Sequence, residues 1–264
     1  MNPDCLTYRN AEKIDPMSKQ AALPNRASAD DGDELRFCST CAFSDACLSQ
    51  GYGKPELEAL HVLVEHAGPY HEGDIIFREG EDFRSIAAVR AGTVKTFVTD
   101  SNGDEQVLGF FLPGEIIGLN AIHHNKFPCH AVALDTVMLC RFSFPKMALL
   151  ATKMPGLQNQ LFKLLSHDIG KATLLAGDYS AEQRIAAFLI SISRRYAERG
   201  FSATQLLMPM TRSDMANYLR LAPETVSRVL RRLQDLGFIA VDRRVFVLSQ
   251  YNDLERMAMP VLRS

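Results

Sequence analysis

The chain has 264 residues, 47% of them hydrophobic and 23% charged, with six cysteines and no tryptophan. At roughly 100–200 residues per domain this length predicts two domains, and the composition excludes wholesale disorder. The net charge of −2 excludes a globally basic nucleic-acid binder, so any such surface is local. No apolar run approaches the roughly 18–20 residues needed to span a bilayer. The N-terminus, MNPDCLTYRNAEKIDPMSK, lacks the apolar stretch of a secretory signal, and the compartment expected is the cytoplasm. In a reducing compartment six cysteines point to metal or redox chemistry rather than to disulfides.

Residues 1–37 mix five basic with seven acidic side chains and contain the turn-rich segment ALPNRASADDGDE, which predicts a flexible arm. The next segment carries Cys38, Cys41 and Cys47, a C-x2-C-x5-C spacing closed by Gly51-Tyr52-Gly53. Three thiols this close can turn onto one centre, and both zinc and an iron–sulfur cluster fit. Each needs a fourth ligand from elsewhere. Cys5, Cys129, Cys140, His123, His124 and His130 are the candidates. In VMLCRFSF a strand would set Cys140 against Leu139 by alternation, so that it could face the loop.

PELEALHVLVEHAG reads as a short amphipathic helix with Leu57, Leu60, Leu63 and Val64 on one face. From about Pro69 to Phe144, short apolar runs alternate with Gly- or Asn-bearing turns, the pattern of a β-sandwich or roll. Ser101-Asn102-Gly103-Asp104 reads as a hairpin turn in which Asn-Gly supplies the positive φ angles. In LQNQLFKLLSHDIGKATLLA the apolar residues recur every three or four positions, which gives one long stripe on a helix over 155–178. A stripe between two domains would be costly to leave bare, so the helix is expected to form a dimer seam.

Residues 179–236 read as helical throughout, followed by two short strands in FIAVDRRVFVL. Within TRSDMANYLRLAPETVSRVLRRLQ, Thr211 or Ser213 can cap a first helix. Leu221-Ala222-Pro223 makes a turn, and a second helix buries Val226, Val229, Leu230 and Leu233. This is the pattern of a helix-turn-helix with a strand pair as its wing. Seven arginines face four acids over 211–250, a local positive excess inside an acidic chain. Glu224, Ser227 and Arg228 share one face near the start of the second helix, the end that reaches base edges. Arg228 suits guanine O6 and N7, and Glu224 suits a cytosine amine. Arg212, Arg220, Arg231, Arg232 and Arg243 are the candidates for DNA backbone contacts. No phosphate-binding P-loop and no nucleophile elbow occur, so the expected protein is not an enzyme.

These residues together make the chain resemble the CRP/FNR superfamily of transcription regulators, in its FNR (fumarate and nitrate reduction regulator) subgroup. The motifs that carry the resemblance are GDEQ at 103–106, PGEIIG at 113–118, KMP at 153–155, AEQRIAAFL at 181–189, SRRYAERGFS at 193–202 and the run from Thr211 to Leu230. The resemblance implies an α+β fold: an N-terminal antiparallel β-roll of the cyclic-nucleotide-binding type, a long central dimerisation helix and a C-terminal winged helix-turn-helix. The implied division is a 1–37 arm, a 38–150 cysteine loop and sensor roll, a 155–178 dimerisation helix, a 179–250 DNA-binding domain and a 251–264 tail.

It further implies an oxygen-labile [4Fe–4S] cluster on Cys38, Cys41, Cys47 and Cys140, with Cys5 and Cys129 as bystanders. Glu224, Ser227 and Arg228 become the readers of a TTGAT-type palindrome. Leu161, Leu165, Ile169 and Ala172 become the seam of a homodimer, which forms while the cluster is intact. The Asn102-Gly103 hairpin becomes a contact for RNA polymerase. Regulation of anaerobic-metabolism genes, by activation or repression, is the implied role. The cyclic-nucleotide branch of the superfamily carries a Glu and an Arg-Ser pair where this chain has Leu119, Cys129 and His130, so no cyclic nucleotide is expected. An iron–sulfur electron carrier and a zinc-stabilised regulator without oxygen sensing are the alternative readings.

Overall fold

The computed structural model describes residue 47 and residues 59–60, 62–173 and 177–262, with the backbone alone for 167–173. Eight strands fill the first half: β1 (Val64–Tyr70), β2 (Ile75–Phe77), β3 (Ser85–Ala91), β4 (Val94–Thr99), β5 (Glu105–Phe111), β6 (Ile116–Ile117), β7 (His130–Ala133) and β8 (Val137–Ser143). They form two four-stranded antiparallel sheets, ordered β1-β8-β3-β6 and β2-β7-β4-β5. Ile86, Val94, Ala131, Val137 and Leu139 are buried in the core they share. This is the expected roll.

Tight turns hold the roll closed. At Gly92 (φ +78°) an added Cβ would lie 2.4 Å from the Thr136 carbonyl oxygen, so no larger residue fits. At the β4–β5 turn only Gly103 takes positive φ. Asn102 does not, contrary to the expectation of a turn built on both residues. Instead Asp100 Oδ1 accepts from the Asn102 and Asp104 amides, at 2.8 and 3.0 Å, and shapes the loop itself.

Among the described residues, six α-helices and a third sheet follow. They are α1 (Phe144–Lys153), α2 (Pro155–Thr173), α3 (Ala181–Ala197), α4 (Arg212–Leu219), α5 (Pro223–Asp235) and α6 (Tyr251–Leu262). Strands β9 (Gln205–Leu207), β10 (Ile239–Asp242) and β11 (Val245–Leu248) pair in the order β10-β11-β9.

Four further sequence expectations are corrected. Residues 179–236 are not helical throughout, because Gln205–Leu207 pairs with β11 as a third strand of the wing sheet. The predicted helix with Val64 on its apolar face is also wrong at its C-terminal end. Ala59 and Leu60 are helical, but Val64 opens β1, held by pairing with β8. The helix expected over 155–178 is described from Pro155 to Thr173 and does not reach its predicted end, since Gly177–Ser180 are not helical. Finally, much of the supposed tail over 251–264 is helix α6. Leu254, Ala258 and Val261, spaced by three and four, bury one stripe of it against the C-terminal core.

That core is not confined to the C-terminal half. Val107, Phe110 and Leu112 of β5 and the turn after it pack among Ile185, Leu189, Met215 and Leu219. The roll and the helical module therefore share apolar surface along β5.

Candidate functional site

The helix-turn-helix is α4, a turn and α5. Thr211 caps α4: its hydroxyl accepts from the Asp214 amide at 3.0 Å, and Asp214 returns a bond to the Thr211 amide at 2.9 Å. Burial alone would raise the Asp214 carboxyl. Hydrogen bonds from Thr211 and Lys95 outweigh it and hold the group below its ordinary value. Thr211→Ala removes one half of this capping box. It is expected to cost about 1 kcal/mol, visible in calorimetry as a drop in Tm of a few degrees. Arg220 ends α4 in the left-handed region (φ 55°), and Pro223 starts α5 with no amide to satisfy.

α5 buries Val226, Val229, Leu230 and Leu233, the four residues expected from periodicity. Its outer face presents Glu224, Ser227 and Arg228, all exposed. Among the described residues Glu224 and Arg228 form no ion pair with each other, so both head groups stay available. The Ser227 hydroxyl donates to the Pro223 carbonyl at 2.9 Å.

The five backbone candidates divide. Arg220, Arg231 and Arg243 are exposed, Arg243 at the wing tip with φ 52°. Arg232 is exposed but bonded to Glu182 at 2.6 Å. Arg212 is half-buried with its guanidinium 4.7 Å from the Phe246 ring centre, and burial pulls its pKa below the ordinary value. Arg244, the next residue in the wing, reaches the roll and bonds Glu72 at 3.0 Å.

The cysteines occupy the other half of the molecule. Cys38 and Cys41 lie outside the described residues. Cys140 is half-buried in the middle of β8, directly opposite His66 on β1 and Ala88 on β3. Its Sγ stands 3.7 Å from His66 Nδ1. Cys47, far away in sequence, is also half-buried and leans on the same roll core. Two thiols of the predicted set thus approach one body of the protein, and a thiolate-only donor set suits iron–sulfur ligation. Among the described residues no group of three metal-binding side chains is assembled. Sequence reasoning missed His66, because only the β1–β8 register brings it to Cys140.

The three positions compared with the cyclic-nucleotide branch lie in and beside β7 and in the segment after β6. Leu119 and Cys129 are buried, and burial pushes the Cys129 thiol up. His130 stacks on Phe97 and faces Glu79, with Nε2 3.7 Å from the carboxylate. On α2, Leu161 and Leu165 pack half-buried against the roll core, while Phe162 is exposed. The side chains of Ile169 and Ala172 lie outside the described residues. Among those described, no helix is long and apolar enough to cross a membrane.

Comparison with known proteins places this architecture. Residues 68–152 match the cyclic nucleotide-binding domain and residues 183–257 the Crp-like helix-turn-helix domain. The chain is 38% identical over 220 residues to the anaerobic regulatory protein of Haemophilus influenzae, covering 82% of this chain and 86% of that one. It belongs to the CRP/FNR superfamily of transcription regulators, in the FNR subgroup. Another relative is the fumarate and nitrate reduction regulatory protein of Escherichia coli K12, 37% identical over 224 residues, 84% of this chain and 90% of that one. Among solved structures, FixK2 from Bradyrhizobium japonicum superposes with a TM-score of 0.67 at 26% identity, covering 74% of this chain and 96% of that one. The matched helix-turn-helix domain contains both α4 and α5.

Proposed function

We propose that this chain is an oxygen-responsive global regulator that carries a [4Fe–4S] cluster on Cys38, Cys41, Cys47 and Cys140. In this reading it works in the cytoplasm as a homodimer on TTGAT-type palindromic promoter sites, activating or repressing genes of anaerobic metabolism. The observation that carries the proposal is the union in one chain of two elements. Cys47 and Cys140 lean on one roll core, and a free Glu224–Ser227–Arg228 face stands on α5. The names of the Haemophilus and Escherichia relatives support it.

When bound, the cluster supplies oxygen-sensitive iron–thiolate chemistry. The chain's own residues do the rest. Cys140, fixed between two strand neighbours, would be the rigid ligand of the cluster, with Cys38, Cys41 and Cys47 as the other three. α2 pairs with its two-fold mate, with Phe162 joining the seam formed by Leu161, Leu165, Ile169 and Ala172. Two-fold pairing sets two recognition helices about one DNA turn apart, matching a palindrome. Arg228 takes guanine O6 and N7, and Glu224 accepts from a cytosine amine. Arg220, Arg231 and Arg243 hold phosphates in this arrangement. Arg232 joins them by leaving Glu182, and Arg212 by swinging off Phe246. The Asp100–Asp104 turn offers RNA polymerase an exposed loop. A cyclic nucleotide has no place, since Leu119 and Cys129 cannot grip a phosphate.

Protein purified without oxygen should be brown, contain iron and sulfide, and shift a TTGAT-palindrome probe. After exposure to air it should be bleached and the shift lost. Colourless anaerobic protein that contains zinc and still binds the probe would overturn the oxygen-sensing reading.

A further inference from the structure

Strand β5 is an outer strand of its sheet, bonded on one side to β4. Such a strand leaves every second peptide group without a strand neighbour. On β5 two of these groups are taken by a single side chain. Asn217, on α4, accepts from the Val107 amide at 2.7 Å, and its Nδ2 donates to the Glu105 carbonyl. One carboxamide therefore serves residues i and i+2, as a neighbouring strand would.

The surroundings reinforce this contact. Lys95 of β4, with 11% of its side chain exposed, bonds Asp214 at 2.9 Å and Glu105 at 3.0 Å. The Phe110 ring lies 5.4 Å from Tyr218 and 6.0 Å from Phe188, both edge-on. Arg195 donates to the Phe110 carbonyl at 2.6 Å. All these groups sit on regular elements, and none covers the outer face of α5.

We propose that Asn217, supported by Lys95, is a positioning residue. It locks α4, and with it the recognition helix, onto the β4–β5 hairpin of the roll. The roll then fixes the angle at which each subunit meets DNA. This rests on the DNA-reading role proposed above. In a two-fold dimer the consequence is a fixed distance between recognition helices, and therefore one preferred spacing of half-sites.

Two measurements on the full-length protein test the lock. The first is amide exchange at Val107 without DNA, which does not depend on the DNA-reading role. The wild-type amide should be protected, and Asn217→Leu should speed its exchange by about tenfold or more. The Val226–Leu233 amides of α5 should be unchanged, which shows that the module still folds. Free exchange at Val107 in the wild type, or no response to the substitution, would overturn the lock.

The second is binding to palindromes whose half-sites are moved apart or together by one or two base pairs. Wild type should favour one spacing. Asn217→Leu should lose about tenfold on that spacing and far less on the others, flattening the preference. Asn217→Asp keeps the acceptor for Val107 and should fall between. Equal weakening on every spacing would overturn the angle-setting role. A wild type that discriminates no sequence would instead sink the DNA-reading role, while the exchange result still decides the lock.

Discussion

Replacing Glu115 by alanine should lower the unfolding free energy by about 3–5 kcal/mol, the largest effect expected of any single polar residue here. Glu115 follows the turn after β5 and is 7% exposed in its side chain. Two arginines converge on it, Arg195 near the end of α3 and Arg199 in the turn that follows. Arg195 binds it through Nε at 2.8 Å and Nη2 at 2.6 Å, and Arg199 through Nη2 at 3.1 Å. The Leu112 amide donates to the same carboxylate at 3.0 Å. Without the carboxylate, two guanidinium groups stay buried with their main counter-charge gone.

Glu198 adds a second, exposed carboxylate 3.5 Å from Arg199 Nη1, but the buried charge rests on Glu115. Burial opposes the charge on Arg195, but the fork onto Glu115 outweighs it and raises its pKa. At Arg199 burial prevails and the pKa falls, and its Nε finds no hydrogen-bond partner among the described residues. Glu115→Gln keeps an acceptor but not the charge, and should cost roughly half as much. Thermal unfolding of the three proteins gives the order, with Glu115→Ala about 10 °C or more below wild type. A cost below about 1 kcal/mol for the alanine variant would mean that the ion cluster is not desolvated in solution.

Arg228→Ala should weaken binding to the cognate palindrome by about 2–6 kcal/mol, because each dimer uses the residue twice and a bidentate base contact is worth about 1–3 kcal/mol. Binding to unrelated DNA should change little. The exposed guanidinium has no ion-pair partner among the described residues, so the variant leaves no buried charge behind and should fold normally. Arg243→Ala gives the contrast. A phosphate contact at the wing tip should weaken cognate and unrelated DNA alike and reduce the salt dependence. Titration of both variants on matched and mismatched probes separates the two behaviours. Uniform weakening by Arg228→Ala would remove it from base reading.

The DNA-reading half was legible in the sequence because its signals are local. The caps, the Pro223 start and the apolar stripe of α5 lie within a few residues of one another, and the helix forms where they predict it. β9 was not legible. Three residues are too few to show alternation, and Gln205–Leu207 is a strand only because β11 pairs with it. β1 failed for the same reason: VEHAGPY carries no regular apolar alternation, and its hydrogen bonds come from β8. α6 was readable and overlooked, since Leu254, Ala258 and Val261 already carry helical spacing.

The candidate site divides in the same way. The spacing of the cysteine trio suggests a metal centre, zinc or iron–sulfur, whereas naming Cys140 as the fourth ligand needed the family resemblance. His66, Asn217 and Glu115 are legible only in three dimensions, because each works on a residue brought to it by a distant strand or helix.

The packing of α6 bears on how the molecule is made. Leu254, Ala258 and Val261 complete the core around α3, yet they follow every other described element in the chain and so emerge after them during synthesis. The roll can close as soon as β8 emerges, in keeping with domain-wise folding from the N-terminus. The helical module cannot finish until α6 has emerged. During that interval Val107, Phe110 and Leu112 stand open on the nascent chain, an apolar edge waiting for its cover. A stalled or truncated product lacking α6 should therefore be a target for chaperones and proteases.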